Sequence, residues 1–190
     1  YSNFTTEYNE AEDKPVVVLE AVWTPIKYTV IFNTGTTSCS FGPIDLKYDD
    51  YLNDSTKQYL PNPTGQLSLQ GYNPVLKWYN GSIEYEFDSL IENLTTIDGK
   101  VITLNIHWTP VEFTISFNAS DGSGAPSSIK TNYDATITIP STIPTKTGAY
   151  FRGWAEQYYL LKPSDNDKYT SGTEIKAKDL YDKGWFTLYA

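Results

Sequence analysis

Methionine is absent from this chain, and cysteine and histidine occur once each, as Cys39 and His107. A single thiol cannot close an internal disulfide, so packing has to supply what cross-links supply in many small secreted folds. Cys39 reads as a small semi-buried residue rather than a nucleophile. A lone imidazole has no second His or Cys with which to hold zinc, and His107 has no partner in its strand for acid–base work. Cations are scarce: 14 Lys and Arg stand against 23 Asp and Glu, a net charge of −9. Nucleic acid and anionic membrane surfaces both require a basic footprint, so neither is expected as a partner. No apolar run reaches the roughly 20 residues of a spanning helix, so no membrane insertion is expected within these residues. The chain begins at Tyr1 without a signal-peptide pattern, and it reads as a piece of a longer protein.

Aromatic residues and a repeat are what the chain does have. Its 16 Tyr, 8 Phe and 5 Trp, with abundant Thr, Val and Ile, favour strands over helices. One tripeptide occurs twice, as Trp23-Thr24-Pro25 and Trp108-Thr109-Pro110, 85 positions apart. Leu19 and Leu104 before it, and Tyr28 and Phe113 after it, keep the same 85-residue spacing. Agreement at three landmarks points to tandem modules. The expected division is residues 1–23 as the closing strand of a preceding, truncated module, 24–109 as a first module and 110–190 as a second.

The strand patterns support that division. Tyr28, Val30 and Phe32, and likewise Phe113, Ile115 and Phe117, fall on one face at period two. So do Ile102, Leu104, Ile106 and Trp108 in one closing strand, Val17, Leu19, Ala21 and Trp23 in another, and Phe186, Leu188 and Ala190 in the last. Ala190 stands two positions short of where a further Trp would fall. Each closing strand follows an Asp-containing turn, at Asp13-Lys14, Asp98-Gly99 and Asp182-Lys183. Pro25 and Pro110 mark the joints, where proline ends a ladder and stiffens the link. A closing strand over 16–22 whose own module is missing must pack on the first module or pair with another chain. The spacing of Phe87, Leu90, Ile91 and Leu94, with Asp88 or Ser89 as cap, predicts a short helix in the first module; its counterpart from Glu174 to Leu180 is weaker. The first module also carries extra residues near Asn53 to Tyr59, placed in a surface loop.

The second module reads Ile115-Ser116-Phe117-Asn118, Ala125-Pro126-Ser127-Ser128, Ile139-Pro140, Gly148-Ala149-Tyr150-Phe151-Arg152-Gly153-Trp154 and Thr187-Leu188-Tyr189-Ala190. This succession resembles the Listeria–Bacteroides repeat, the internalin-type B-repeat family. The first module is a degenerate version, keeping Leu60-Pro61 and Trp78 but placing Lys77 where the family has Gly and Pro74 inside the motif. The resemblance implies a β-rich α+β fold of tandem, small β-grasp-like modules, each a mixed or antiparallel sheet with at most one short helix. It implies use in long secreted or cell-surface proteins, at the cell wall of a Gram-positive-type bacterium, as spacer and in adhesion. It implies no catalytic residues, no cofactor and no metal.

Trp23, Trp78, Trp108, Phe151, Gly153 and Trp154 are therefore structural landmarks. In Phe151-Arg152-Gly153-Trp154, two rings lie within one turn of chain and Gly153 permits a backbone path closed to other residues. The alternative function is a carbohydrate- or mucin-binding module, including one accessory to a larger surface enzyme, with Tyr79, Tyr158 and Tyr159 as candidate stacking residues for a host or cell-surface glycan or protein. Asp165-Asn166-Asp167 opens like a calcium loop but has Tyr169 and Lys176 where ligands belong. Glu84, Glu86, Asp88 and Glu92 read as charges guarding a sheet edge rather than as a glycosidase pair. The sequons at Asn3, Asn53, Asn80, Asn93 and Asn118 are expected by chance in an Asn/Ser/Thr-rich chain. A Lys–Asn amide, Lys27 to Asn105 or Lys100 to Asn118, is a further covalent option; an intact mass equal to the uncrosslinked chain would exclude it.

Overall fold

The computed structural model describes residues 4–9, 14–19, 21–156 and 168–190. In chain order the strands are β1 (Phe4–Asn9), β2 (Lys14–Leu19), β3 (Lys27–Asn33), β4 (Ile44–Lys47), β5 (Tyr72–Pro74), β6 (Trp78–Asn80), β7 (Ile83–Tyr85), β8 (Lys100–Asn105), β9 (Trp108–Pro110), β10 (Glu112–Asn118), β11 (Ile129–Asn132), β12 (Thr136–Thr138), β13 (Trp154–Ala155), β14 (Lys168–Tyr169), β15 (Glu174–Lys176) and, after helix α1 (Ala177–Tyr181), β16 (Thr187–Tyr189). The chain is β-rich, and α1 is the one α-helix among the described residues.

Two compact units divide the chain. One comprises Tyr1–Phe32, Phe41–Pro61 and Asp88–Thr103; the other comprises Asn33–Ser40, Asn62–Phe87 and Leu104–Ala190. In the first unit, β1 and β2 form an antiparallel hairpin. The strand expected to lack a partner in its own segment thus has one, supplied by the residues just before it. Residues 21–26 that follow carry no regular structure, and Val22 and Trp23 stand exposed. Strand β4 pairs antiparallel with β3, burying Tyr28, Val30 and Leu46 on one face. The Tyr28 hydroxyl donates to the Glu92 carbonyl at 3.1 Å, and burial pushes its pKa above 10.0.

The helix expected over Phe87 to Leu94 is not formed. Asp88 takes a left-handed φ of 59°, which breaks helical geometry one residue after the run begins. The backbone is instead claimed by the 58–60 segment. Leu60 N–H donates to the Ser89 carbonyl, Asp88 N–H to the Leu60 carbonyl, and Ile91 N–H to the Gln58 carbonyl, all within 3.0 Å. Leu60 and Ile91 are buried by this pairing. Four apolar residues at helical spacing serve an extended segment equally well when a neighbouring segment offers partners. The extra residues near Asn53 to Tyr59 are mostly exposed and follow a short 3-10 segment, Asp50–Leu52.

The second unit holds the clearer sheet, in the order β11-β10-β16-β13-β14. Strand β10 runs antiparallel to β11 but parallel to β16, and β13 is antiparallel to both β16 and β14. The alternating burial of β10 follows the sequence pattern: Ile115 and Phe117 are buried while Glu112, Thr114 and Asn118 face solvent. Ile115, Phe117, Ile137, Ile139, Trp154, Ala177, Leu180 and Leu188 make one core. Helix α1 closes it with Ala177 and Leu180, four and one residues respectively from its last residue. A further sheet has the order β4-β3-β8-β6-β7.

Candidate functional site

Three places in the second unit concentrate aromatic and polar side chains. The first is built on the Trp-Thr-Pro segment, which the sequence marks as a joint and the structure makes a strand. Strand β9 pairs antiparallel with β5, with Tyr72 opposite Pro110, Asn73 opposite Thr109 and Pro74 opposite Trp108. Proline is tolerated because each of these strands has a single neighbour, so no ladder bond is lost on the far side. The half-buried Trp108 donates its indole N–H to the Thr34 carbonyl at 2.9 Å. Its ring lies so close over Gly35 that an added Cβ there would meet Nε1 at 2.8 Å.

From β9 the chain enters β10 across a second set of contacts. Val111 N–H donates to the Gly71 carbonyl at 2.9 Å. Gly71 has φ +78°, and a Cβ on it would fall 2.3 Å from the Tyr133 ring, so only glycine fits beneath that ring. Tyr72 and Tyr133 meet edge to face at 5.3 Å, and Tyr133 meets Tyr181 at 5.4 Å. Their hydroxyls reach carboxylates: Tyr72 donates to Asp134 at 2.5 Å and Tyr133 to Asp182 at 3.0 Å. The side-chain amide of Gln70 also donates to Asp182, at 2.8 Å. The hydrogen bond to Asp134 raises the Tyr72 pKa, and burial, with Asp182 behind it, raises that of Tyr133. Both phenols therefore stay protonated and able to donate throughout the neutral range.

The second place is the outer face of the β6–β7 hairpin. Tyr79 is only 9% exposed, its ring stacked on His107 at 3.8 Å between centroids and its hydroxyl 3.4 Å from Glu84. Desolvation, then the Glu84 charge, raises its pKa. Lys77 bridges Glu84 at 2.8 Å and Glu86 at 3.0 Å. The hydrogen bond from Lys77 holds the Glu84 carboxyl below its usual 4.5, and the two carboxylates raise the Lys77 pKa in turn. These groups satisfy one another at a sheet edge. Tyr158, Tyr159 and Asp165-Asn166-Asp167 lie outside the described residues.

The third place had no signal in the sequence. A groove of about 190 Å³ runs between the 119–122 turn and residues 144–152, beside Ala190. Tyr150 stands over it, 83% exposed, and Lys146 at its edge bridges Asp121 at 3.0 Å. The landmark Phe151 is one of its walls. Phe151 and Phe117 meet Trp154 edge to face at 5.3 and 5.0 Å, Trp154 is fully buried, and Gly153 has φ 149°. Trp78, its counterpart, is equally buried and meets Phe87 at 6.0 Å. Among the described residues no cluster of three metal-ligating side chains forms, and no helix is long and apolar enough to cross a membrane.

No curated protein and no solved structure matches this chain. A family model does: that of the Listeria-Bacteroides repeat domain, over residues 113–190. The match begins in β10, ends with β16 and takes in the whole Phe151-to-Trp154 motif with the core packed around it. Residues 113–190 thus match the Listeria-Bacteroides repeat domain family.

Proposed function

We propose that this chain is a non-catalytic run of tandem repeats from a secreted or cell-surface multidomain protein, acting as a spacer that sets the distance between other domains and contributes to adhesion. In this reading residues 24–109 are a degenerate copy of the repeat at 110–190, and residues 1–23 close an earlier one. Each copy is β-grasp-like. The second-repeat order β11-β10-β16-β13, with its central strands parallel, supports that description.

The observation that carries the reading is the Trp108-Thr109-Pro110 joint. A tether between independent binding domains would be slack and polar. Here the joint is a paired strand with a seated indole, and Tyr–Asp bonds follow it directly. Such a joint transmits length and direction, which is what a stalk requires. The net charge of −9 suits a hydrated extracellular surface.

The sugar-binding alternative needs exposed, coplanar rings. Among the described residues Tyr150 is exposed, while Tyr79 has one face covered by His107. Two measurements test the reading together. Protease shaving of intact source cells should release peptides of this chain, and a glycan and mucin array probed with the two-repeat protein should stay blank. Retention of the chain inside intact cells would overturn the surface assignment. Specific array binding that is lost on Tyr158→Ala and Tyr159→Ala would replace the spacer with an adhesin.

A further inference from the structure

Three glycines of this chain follow an Asn or Asp: Asn80-Gly81, Asp98-Gly99 and Asp121-Gly122. In such a pair the glycine nitrogen can reach the side-chain carbonyl carbon before it and close a five-membered ring, with no glycine side chain in the way. In a folded chain the outcome depends on whether the two reacting groups are held elsewhere. Two of the pairs are held. Gly99 N–H donates to the Lys27 carbonyl at 2.8 Å, and the Asp98 carboxylate accepts from the Lys27 N–H at 2.9 Å. Gly122 N–H donates to the Ala119 carbonyl at 2.9 Å, and Asp121 bridges Lys146 at 3.0 Å. A Cβ on Gly122 would meet the Thr145 carbonyl at 2.6 Å, so backbone also encloses that pair.

Asn80-Gly81 is held at neither group. Strands β6 and β7 pair Asn80 with Ile83, which leaves Gly81-Ser82 as a two-residue loop with Gly81 at φ 60°. Glycine at the first loop position is what such a hairpin turn favours. Neither the Gly81 N–H nor the Asn80 side-chain amide has a hydrogen-bond partner among the described residues. Gly81 and Ser82 are exposed, and a Cβ on Gly81 would meet nothing within 4 Å. The nucleophile and the amide it attacks are therefore unheld in the same solvent-filled turn.

We infer that the Asn80-Gly81 turn is a self-modification site, at which the folded chain converts its own asparagine to aspartate and isoaspartate with water as the only co-reactant. The Gly81 nitrogen gives its proton to solvent base and attacks Cγ of Asn80. The N–Cγ bond forms, the Cγ–Nδ2 bond breaks, and ammonia leaves after taking a proton from solvent, closing a succinimide. Water then adds to one of the two ring carbonyls. Opening at Cγ restores the ordinary main chain with an aspartate at position 80. Opening at the main-chain carbonyl routes the backbone through the side chain, one carbon longer. The sum is amide plus water giving acid plus ammonia, with no change of oxidation state. Either product adds one negative charge to the net −9. The isoaspartyl product also lengthens a turn whose length sets the hairpin register. The next pair along is Tyr79 with Glu84, where the Tyr79 ring stacks on His107 and its hydroxyl lies 3.4 Å from Glu84. That contact loosens in the isoaspartyl form.

Peptide mapping by mass spectrometry tests this on the folded 190-residue chain, incubated at mildly alkaline pH in water labelled with heavy oxygen. The peptide spanning Asn80-Gly81 should show the amide-to-acid mass change with solvent oxygen incorporated, as both aspartate and isoaspartate. Each pair's rate is divided by its rate in the urea-unfolded chain, and that ratio should be highest at position 80. Asn80→Gln, which would have to close a six-membered ring, should convert several-fold more slowly. The isoaspartyl fraction, separated by chromatography, should melt below the parent, while fresh Asn80→Asp, with the charge but not the extra carbon, should melt close to it. A folded chain that keeps its amide at position 80 while the unfolded chain loses it overturns the inference, as does a ratio at 98 or 121 that equals or exceeds that at 80. Aspartate without isoaspartate overturns the succinimide route. An isoaspartyl fraction that melts with the parent overturns the coupling to Tyr79.

Discussion

Segments 24–109 and 110–190 each bury one tryptophan, Trp78 and Trp154, by different routes. In the second, Gly153 takes a φ of 149° that side-chain-bearing residues rarely adopt, and Phe151 folds against Trp154 from the same turn of chain. In the first, Lys77 precedes Trp78 with an ordinary backbone, and the edge-on ring is Phe87, nine residues downstream. Lys77 then turns outward to two glutamates on the β7 side of the hairpin. The buried indole is thus what the two segments share. The glycine, and the residue that supplies the packing ring, are local solutions to it. The side chain gained when glycine is lost becomes available for surface charge chemistry.

Removing either indole should break both repeats alike. Trp154→Ala and Trp78→Ala are each expected to cost about 3–5 kcal/mol in urea unfolding, since each side chain is fully buried. A cost below about 1 kcal/mol for Trp78→Ala would show that the packing around Trp78 does not depend on its indole. Gly71→Ala comes next, at about 2–4 kcal/mol, because it combines a left-handed φ with a Cβ 2.3 Å from the Tyr133 ring. Its effect should appear in unfolding of the second unit.

Exchanging the residues before the tryptophans sharpens the contrast. Gly153→Lys should cost about 1–3 kcal/mol through backbone strain, whereas Lys77→Gly, which removes only a solvent-screened ion pair, should have a much smaller effect. Equal costs in a melting comparison would mean that the backbone at Gly153 relaxes freely. The smallest effect is pH dependence of the first repeat. Glu84 is depressed below 4.5, so its contribution is present above that pH and is lost as pH falls through its folded value. Lys77 is raised above 10.5, so its contribution is present below that pH and is lost as pH rises through its folded value. Acid titration of melting temperature should show a small component that Lys77→Gly removes.

Much of the fold was legible because it rests on periodicity. Tyr28 and Val30, Ile115 and Phe117, and Ile102, Leu104 and Ile106 alternate in sequence and are buried in the structure. The Phe151-to-Trp154 motif marked the second core, and the family of residues 113–190 followed from it. The helix over 87–94 was misplaced because four apolar residues at helical spacing do not reveal that residues 58–60 lie alongside them. Helix α1, where the pattern was weaker, forms because Ala177 and Leu180 have a core to cover. The joint was readable as a repeat landmark but not as a strand, since proline argues against a ladder and the permissive edge at β5 is a tertiary fact. The groove beneath Tyr150 has no signature in the sequence because its walls, the 119–122 turn and residues 144–152, meet only in the folded chain.

The central claim is that the Trp-Thr-Pro joint is a docked strand rather than a tether, and a distance distribution tests it most directly. Spin labels at Ser82→Cys and Lys178→Cys, both exposed and both within the second unit, would be measured in a Cys39→Ser background by pulsed dipolar spectroscopy. A single narrow distribution that broadens on Trp108→Ala is the predicted result. A distribution already broad in the parent, or one that Trp108→Ala leaves unchanged, would contradict the account.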